Sequence, residues 1–263
     1  MRSGRLIRNN SRFLSMDCTI DVKEKDGLRT LHFGSAWIQG AMQVDAPWAL
    51  ALEYTRTMMA CLLLREAQHF PRRVLLIGLG AGALTKFLYR HCPDAHLTVV
   101  ELEPEVVEVA RTSFQLPPDD ARLRVVIGEG ADYVRNTQQK FDLIMVDGFN
   151  ERGYTGELNT QPFYELCRTR LDDQGLLVAN LVGISHGSKG GFAYIETAFA
   201  QRGLMLPRCK SGNTIAVGAT GAPIDLEIAQ LAQRAADLHQ RSGLDLLPLV
   251  RRLAEAMPER LKL

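Results

Sequence analysis

Residues 74–87 read VLLIGLGAGALTKF, and the folding of this stretch decides how the rest of the chain is arranged. Its first part is an unbroken apolar run, the pattern of a strand buried on both faces. A helix is expected over 81–91. Gly78, Gly80 and Gly82 stand at the turn from the strand into it. Glycines at a strand-to-helix turn let the backbone come close to a ligand and aim the first N–H groups of the helix at it.

Moving outward from that unit, apolar strands and helices alternate. "HLTVVEL" is a strand, 104–114 a helix with Pro104 suited to its first turn, and "LRVVIG" a strand. Then come a helix over 130–139, the strand "FDLIMVD", a helix over 161–171, the strand "GLLVANLVG" and a helix over 190–202. Such alternation predicts a mostly parallel sheet covered on both faces. "GLMLPRC" and "NTIAVGAT", separated by Lys210-Ser211-Gly212, then predict an antiparallel hairpin that completes seven strands. Upstream, Asp26-Gly27 between alternating segments predicts a hairpin, with "AWIQGAMQV" as a third strand and a helix over 47–64. Three short strands are too little to stand alone, so this piece must lean on the main domain. The expected organisation is a tail and small β-region over 1–46, an α/β domain over 47–220 and a helical tail over 221–263. That tail holds two amphipathic helices broken near Ser242-Gly243, suited to covering the core or a partner subunit.

Bulk properties exclude several classes. Apolar residues at 46% and charged residues at 23% fit a globular protein, and a formal net charge of +1 gives nucleic acid no bulk attraction. The apolar run MMACLLL (58–64) is far below the ~18 residues of a membrane span. Five scattered cysteines without a CxxC pair suggest reduced thiols, no metal site and a cytoplasmic setting. The arginine-rich first residues have no apolar stretch after them and read as a basic tail rather than a secretory signal.

Acids end three successive strands: Glu101, Glu129 and Asp147. In an open α/β sheet, carboxyl ends of strands line one crevice. Glu101 can accept the ribose hydroxyls of an adenosine, and Glu129, with Gly130 after it, can hold the adenine amino group. The G-x-G-x-G spacing and the final antiparallel hairpin suit an S-adenosylmethionine-dependent, methyltransferase-like Rossmann fold better than a dehydrogenase binding NAD. Asp147 lies ~14 residues ahead of the next helix, beyond the reach of a helix cap. A charge for chemistry is the reading that remains.

From about Ile38 to Thr220 the chain resembles the spermidine synthase family of aminopropyltransferases. The residues that carry the resemblance are WIQGA, VLLIGLGAG, VVELEPEVVEVAR, GEGADYV, FDLIMVDGFN followed by a loop and FY, and KSGNTIAVG. It implies decarboxylated S-adenosylmethionine as co-substrate, no permanently bound cofactor, a small-molecule amine acceptor and a homodimer joined through the amino-terminal β-piece. It also implies that Asp147 takes the acceptor's proton and that Gln39, Tyr54, Asn150 and Tyr154 contact the acceptor. The chain departs from the family pattern at several places. Ala81 stands where the family has an acid in the glycine turn, Asn150 replaces the second acid of the gate, and Cys209 replaces a tyrosine. In EYTRTMM the tyrosine is out of register, and Arg56 brings a cation beside an expected cation site. If Arg56 faced the crevice it would suit the carboxylate of intact S-adenosylmethionine, and methyl transfer is the alternative activity on that ground. A non-catalytic nucleoside-binding protein is the third reading. His186, on a loop after the fifth main strand, is a candidate base, whereas His91 and His96 lie at the wrong end of the sheet.

Overall fold

A computed structural model of the 263-residue chain describes residues 19–149, 154–181 and 187–263, the side chains of 187 and 188 excepted. The expected basic tail, Cys18, Asn150 and His186 lie outside the described residues.

The core is a seven-stranded sheet. In chain order its strands and the helices between them are β4 (Arg73–Ile77), α2 (Ala83–His91), β5 (His96–Glu101), α3 (Pro104–Phe114), β6 (Leu123–Ile127), α4 (Gly130–Asn136), β7 (Phe141–Val146), α5 (Gln161–Arg170), β8 (Leu171–Leu181), α6 (Gly187–Ala198), β9 (Gly203–Met205) and β10 (Thr214–Ala219). Three further strands, β1 (Ile20–Lys25), β2 (Leu28–Phe33) and β3 (Gly40–Gln43), and a helix α1 (Glu53–Met58) precede them. After them come β11 (Asp225–Glu227), α7 (Ile228–Ser242), α8 (Leu247–Ala256) and β12 (Arg260–Lys262). The main sheet runs β6-β5-β4-β7-β8-β10-β9, parallel throughout except for β10, which is antiparallel to both β8 and β9. The glycine turn thus reads as predicted, and the hairpin closes the sheet.

Period-two alternation explains why the strands are apolar on both sides. Val74 and Leu76 of β4 face one layer with α2, α3, α7 and α8, where Leu84, Phe87, Ala110, Leu231, Leu238, Val250 and Leu253 meet them. Leu75 and Ile77 face the other layer, built on α4, α5 and α6 through Ala131, Val134, Phe163, Tyr164, Cys167 and Ile195. The carboxyl-terminal helices therefore cover this chain's own core. A small third cluster joins Leu31 and Met42 of the amino-terminal sheet to Ala81 and Phe114. A Cβ on Gly40 would stand 2.6 Å from the Ala81 Cβ, so the β-piece leans directly on the glycine turn.

Several expected elements change length. The helix expected over 47–64 is only α1 followed by a 3-10 helix at Met59–Leu63. Ahead of α1 the chain is held open, because the Arg56 Nη1 takes the carbonyls of Leu50 and Ala51 at 2.9 and 2.8 Å. The Lys86 Nζ takes that of Pro47 at 2.7 Å. The third strand shrinks to Gly40–Gln43, leaving Trp37 and Ile38 in an exposed approach. Helix α4 stops at Asn136, before the polar run expected to continue it, and α6 starts earlier than expected. The two-stranded sheet of β11 and β12, bridged by Arg260 to Asp225 and Glu227, has no counterpart in the sequence reading.

Candidate active site

The strand order reverses between β4 and β7: β5 and β6 extend the sheet to one side of β4, β7 and β8 to the other. At such a switch point the connections diverge and leave a crevice at the carboxyl ends of the strands. Here a cleft of about 1170 Å³ opens there. Gly78 follows β4 with φ +92°, and a Cβ on it would lie 2.3 Å from the Asp147 carbonyl oxygen. No other residue lets β4 and β7 end this close together. Gly82 stands at the amino-terminal cap of α2 in a left-handed conformation with no side-chain cap, so the helix presents its backbone N–H groups toward the cleft.

Glu101 and Glu129, expected at one crevice, both line this cleft. Glu101, 9% exposed, accepts from the backbone N–H of Leu79 at 2.8 Å and of Glu103 at 3.0 Å. Burial raises its pKa while these N–H groups oppose the rise, so the carboxylate is pinned between the glycine turn and the start of α3. Glu129 also lines the cleft, but it caps α4 as well, accepting from the Asp132 N–H at 2.8 Å. Gly80, Gly130, Gln39 and Tyr154 border the same space. The described candidate site residues all line the cleft except Gly82, where a Cβ would meet Leu116 instead; Asn150 is not among the described residues.

Asp147 lies across the cleft from this group. Its carboxylate accepts a hydrogen bond from the Tyr54 hydroxyl, and its Oδ1 accepts from the Asn180 Nδ2 at 2.8 Å. One flank faces the cleft and the residue is half-buried, yet the protein walls around the carboxyl push its pKa up to about 6. Burial is the larger cause, and the two donated hydrogen bonds restrain it. Tyr54, which looked out of register, reaches Asp147, and burial followed by this acid drives its own pKa well above the ordinary value.

The sequence reading missed Asn180 and Asn213. The Asn213 Nδ2 donates to the Asn180 Oδ1 at 3.0 Å, and the Ser211 Oγ donates to the Asn213 Oδ1 at 2.7 Å. Asn180 was detectable as the one polar side chain inside the buried run LLVANL. Glu53 was missed too; it lines the cleft and accepts from the Lys210 N–H at 2.8 Å. Two conjectures are corrected. Arg56 does not face the cleft, because its guanidinium is spent on the carbonyls ahead of α1. Cys209 does not line it either: the thiol is buried and points at the Thr57 Oγ1, 3.5 Å away.

Among the described residues lining the cleft, seven are carboxylates (Glu53, Glu101, Glu103, Glu129, Asp132, Asp147 and Glu157) and one, Arg208, is a cation. Partners at the rim, Arg135 for Asp132 and Glu157 and Arg252 for Glu53, offset part of this charge. In a chain of net charge +1, so one-sided a lining favours a cationic occupant. Among the described residues no group of three or more His, Cys, Asp or Glu is placed to hold a metal, and no helix is long and apolar enough to cross a membrane.

Residues 52–183 match the family model for the spermine/spermidine synthase domain. The polyamine aminopropyltransferase of Chromobacterium violaceum is 34% identical over 239 residues, covering 90% of this chain and 89% of that protein. A probable spermidine synthase from Corynebacterium glutamicum shares the fold, with a TM-score of 0.69 at 18% identity over 88% of this chain and 92% of that one. Human methyltransferase-like protein 13, solved in complex with SAH, has a TM-score of 0.64 at 25% identity, covering 73% of this chain and 93% of its own.

Proposed function

The chain belongs to the spermine/spermidine synthase family, and we propose that it is an aminopropyltransferase acting on decarboxylated S-adenosylmethionine and an amine. The observation that carries this reading is the cleft: seven carboxylates to one guanidinium at the sheet's switch point, with a half-buried, doubly hydrogen-bonded Asp147. Both substrates are cations, a sulfonium with a primary ammonium and an alkylammonium.

The donor's adenosine lies over the ends of β4, β5 and β6. The open N-terminus of α2 and the turn Gly78–Gly82 face it, Glu101 takes the ribose hydroxyls, and Glu129 beside Gly130 takes the adenine amino group. The acceptor lies against Tyr54, Asp147, Gln39 and Tyr154. An alkylamine has a pKa of ~10.4 and arrives protonated, so it must lose a proton before it can attack. Asp147, with its pKa near 6, is ionised at neutral pH and strong enough a base to bind the ammonium and take its proton as the N–C bond forms. The nitrogen attacks the methylene beside the sulfur; the C–S bond breaks with its electron pair going to sulfur, leaving a neutral thioether nucleoside. Methyl transfer from intact S-adenosylmethionine needed a cation for the donor's carboxylate, and Arg56 does not supply it. We further propose a cytoplasmic homodimer joined through the amino-terminal sheet, where Val22 is exposed.

The test is turnover: decarboxylated S-adenosylmethionine with a short diamine should yield the aminopropylated amine and 5′-methylthioadenosine in equal amounts. Formation of S-adenosylhomocysteine from the intact compound, with no aminopropyl product, would refute the reading.

A further inference from the structure

The bonds from Ser211 to Asn213, Asn213 to Asn180 and Asn180 to Asp147 share one direction, each donor pointing toward the carboxylate. That direction fixes both amides. The Asp147 carboxylate only accepts, so the Asn180 NH₂ must face it; the Asn180 oxygen then faces Asn213, whose NH₂ must donate to it, and the Ser211 hydroxyl donates to the Asn213 oxygen that remains. Flipping either amide would set oxygen against oxygen. Asn180 is 5% exposed, and the Asn213 amide that occupies its oxygen holds the side chain in place, so a group on the turn steadies the buried donor to Asp147.

The turn is itself moored. The Cys209 N–H donates to the Asn213 carbonyl and the Gly212 N–H to the Cys209 carbonyl, each at 2.9 Å. Lys210 donates its backbone N–H to Glu53, the neighbour of Tyr54, which supplies Asp147 with its other hydrogen bond. The hydrogen bonds therefore close a ring through α1, β7, β8 and the β9–β10 turn.

We propose that Asn213 is a positioning residue for the reaction: through Asn180 it keeps a donor on Asp147 and so sets how readily that carboxylate takes the acceptor's proton. The inference rests on the reading of Asp147 as the proton acceptor. The other charged or titratable groups that line the cleft with Asp147 are Tyr54, Tyr154, the six further carboxylates named above and Arg208. Replacing Asn213 leaves all of them in place.

The variants are Asn213→Leu, Asn213→Asp and Ser211→Ala, each checked to melt as the wild type does. Two quantities are read: the midpoint of the Asp147 carboxyl by carbon-detected NMR in the free protein, and the acid limb of kcat/KM for the amine. In Asn213→Leu both midpoints should rise together by roughly half a pH unit to one, the size expected for weakening one hydrogen bond. Asn213→Asp should raise them further, because it removes the donor and adds a negative charge, whereas Ser211→Ala should raise them least. The KM for the donor should stay within about twofold. An NMR midpoint unchanged in Asn213→Leu would overturn the inference. A shifted NMR midpoint with an unmoved acid limb, together with an active Asp147→Asn, would instead overturn Asp147 as the proton acceptor, and with it the role given to Asn213.

Discussion

The two ends of the cleft are assembled in different ways. The proposed donor end comes from three consecutive strand–helix units, with Gly78–Gly82, Glu101 and Glu129 each just past the carboxyl end of a strand or at it. The proposed acceptor end is gathered from distant parts of the chain: Tyr54 on α1, Asp147 after β7, Asn180 on β8 and Asn213 before β10. Local construction makes the first end robust and repetitive. Long-range construction makes the second depend on a hydrogen-bond ring that no single element defines, and there substrate choice can change without disturbing the fold.

The largest effect should come from Asp147→Asn. Losing the proton acceptor should lower kcat by about 10²–10⁴-fold, with little change in the KM for the donor. Its effect on stability has a sign. The folded pKa of about 6 lies above the unfolded value of ~3.9, so the native state favours the protonated form. That contribution is present below pH ~4 and lost as pH rises through about 6, so the asparagine variant should melt higher than wild type at pH 7–8 and not at pH 4. An inactive variant that is also less stable at pH 7.5 would mean that Asp147 is chiefly structural.

At the donor end, Gly78→Ala should be next in severity. Its Cβ would collide with the Asp147 carbonyl at a φ only glycine tolerates, so both ligand binding and stability should suffer, the latter by ~1–3 kcal/mol in thermal unfolding. Glu101→Gln is the selective probe. One charged hydrogen bond contributes ~1.5–3 kcal/mol, so the KM for the donor should rise about 10–100-fold while that for the amine stays level. Equal increases in both would erase the proposed division of the cleft. The smallest effect is expected of Arg56→Ala, which removes two bonds to the carbonyls of Leu50 and Ala51. Stability should drop by ~1–3 kcal/mol with both KM values within twofold; selective loss of donor affinity would put Arg56 back in the site.

The same contrast explains what the sequence disclosed. Alternating apolar strands and helices, the glycine turn and the strand-end acids are short-range patterns, and with the final hairpin they foretold the seven-stranded sheet and its crevice. The placing of Glu101, Glu129 and Asp147 at one crevice was legible because acids at successive strand ends of an open sheet share one side, although Glu129 also caps α4. Tyr54, out of register with the family's helix motif, nonetheless reaches Asp147, a contact that depends on where α1 starts after a segment pinned by Arg56 and Lys86. Asn213 and Glu53 gave no signal; a polar residue in a surface turn or a helix's first turn looks like solvent-facing filler. Arg56 misled in the opposite sense, a cation near the site in sequence whose side chain turns to its own backbone.

The account stands on the cleft's preference for a doubly cationic donor, and calorimetric titration tests that most directly. Decarboxylated S-adenosylmethionine, which has lost the one carboxylate that the acidic lining would repel, should bind at least tenfold more tightly than the intact compound at pH 7.5. Tighter binding of intact S-adenosylmethionine would contradict it.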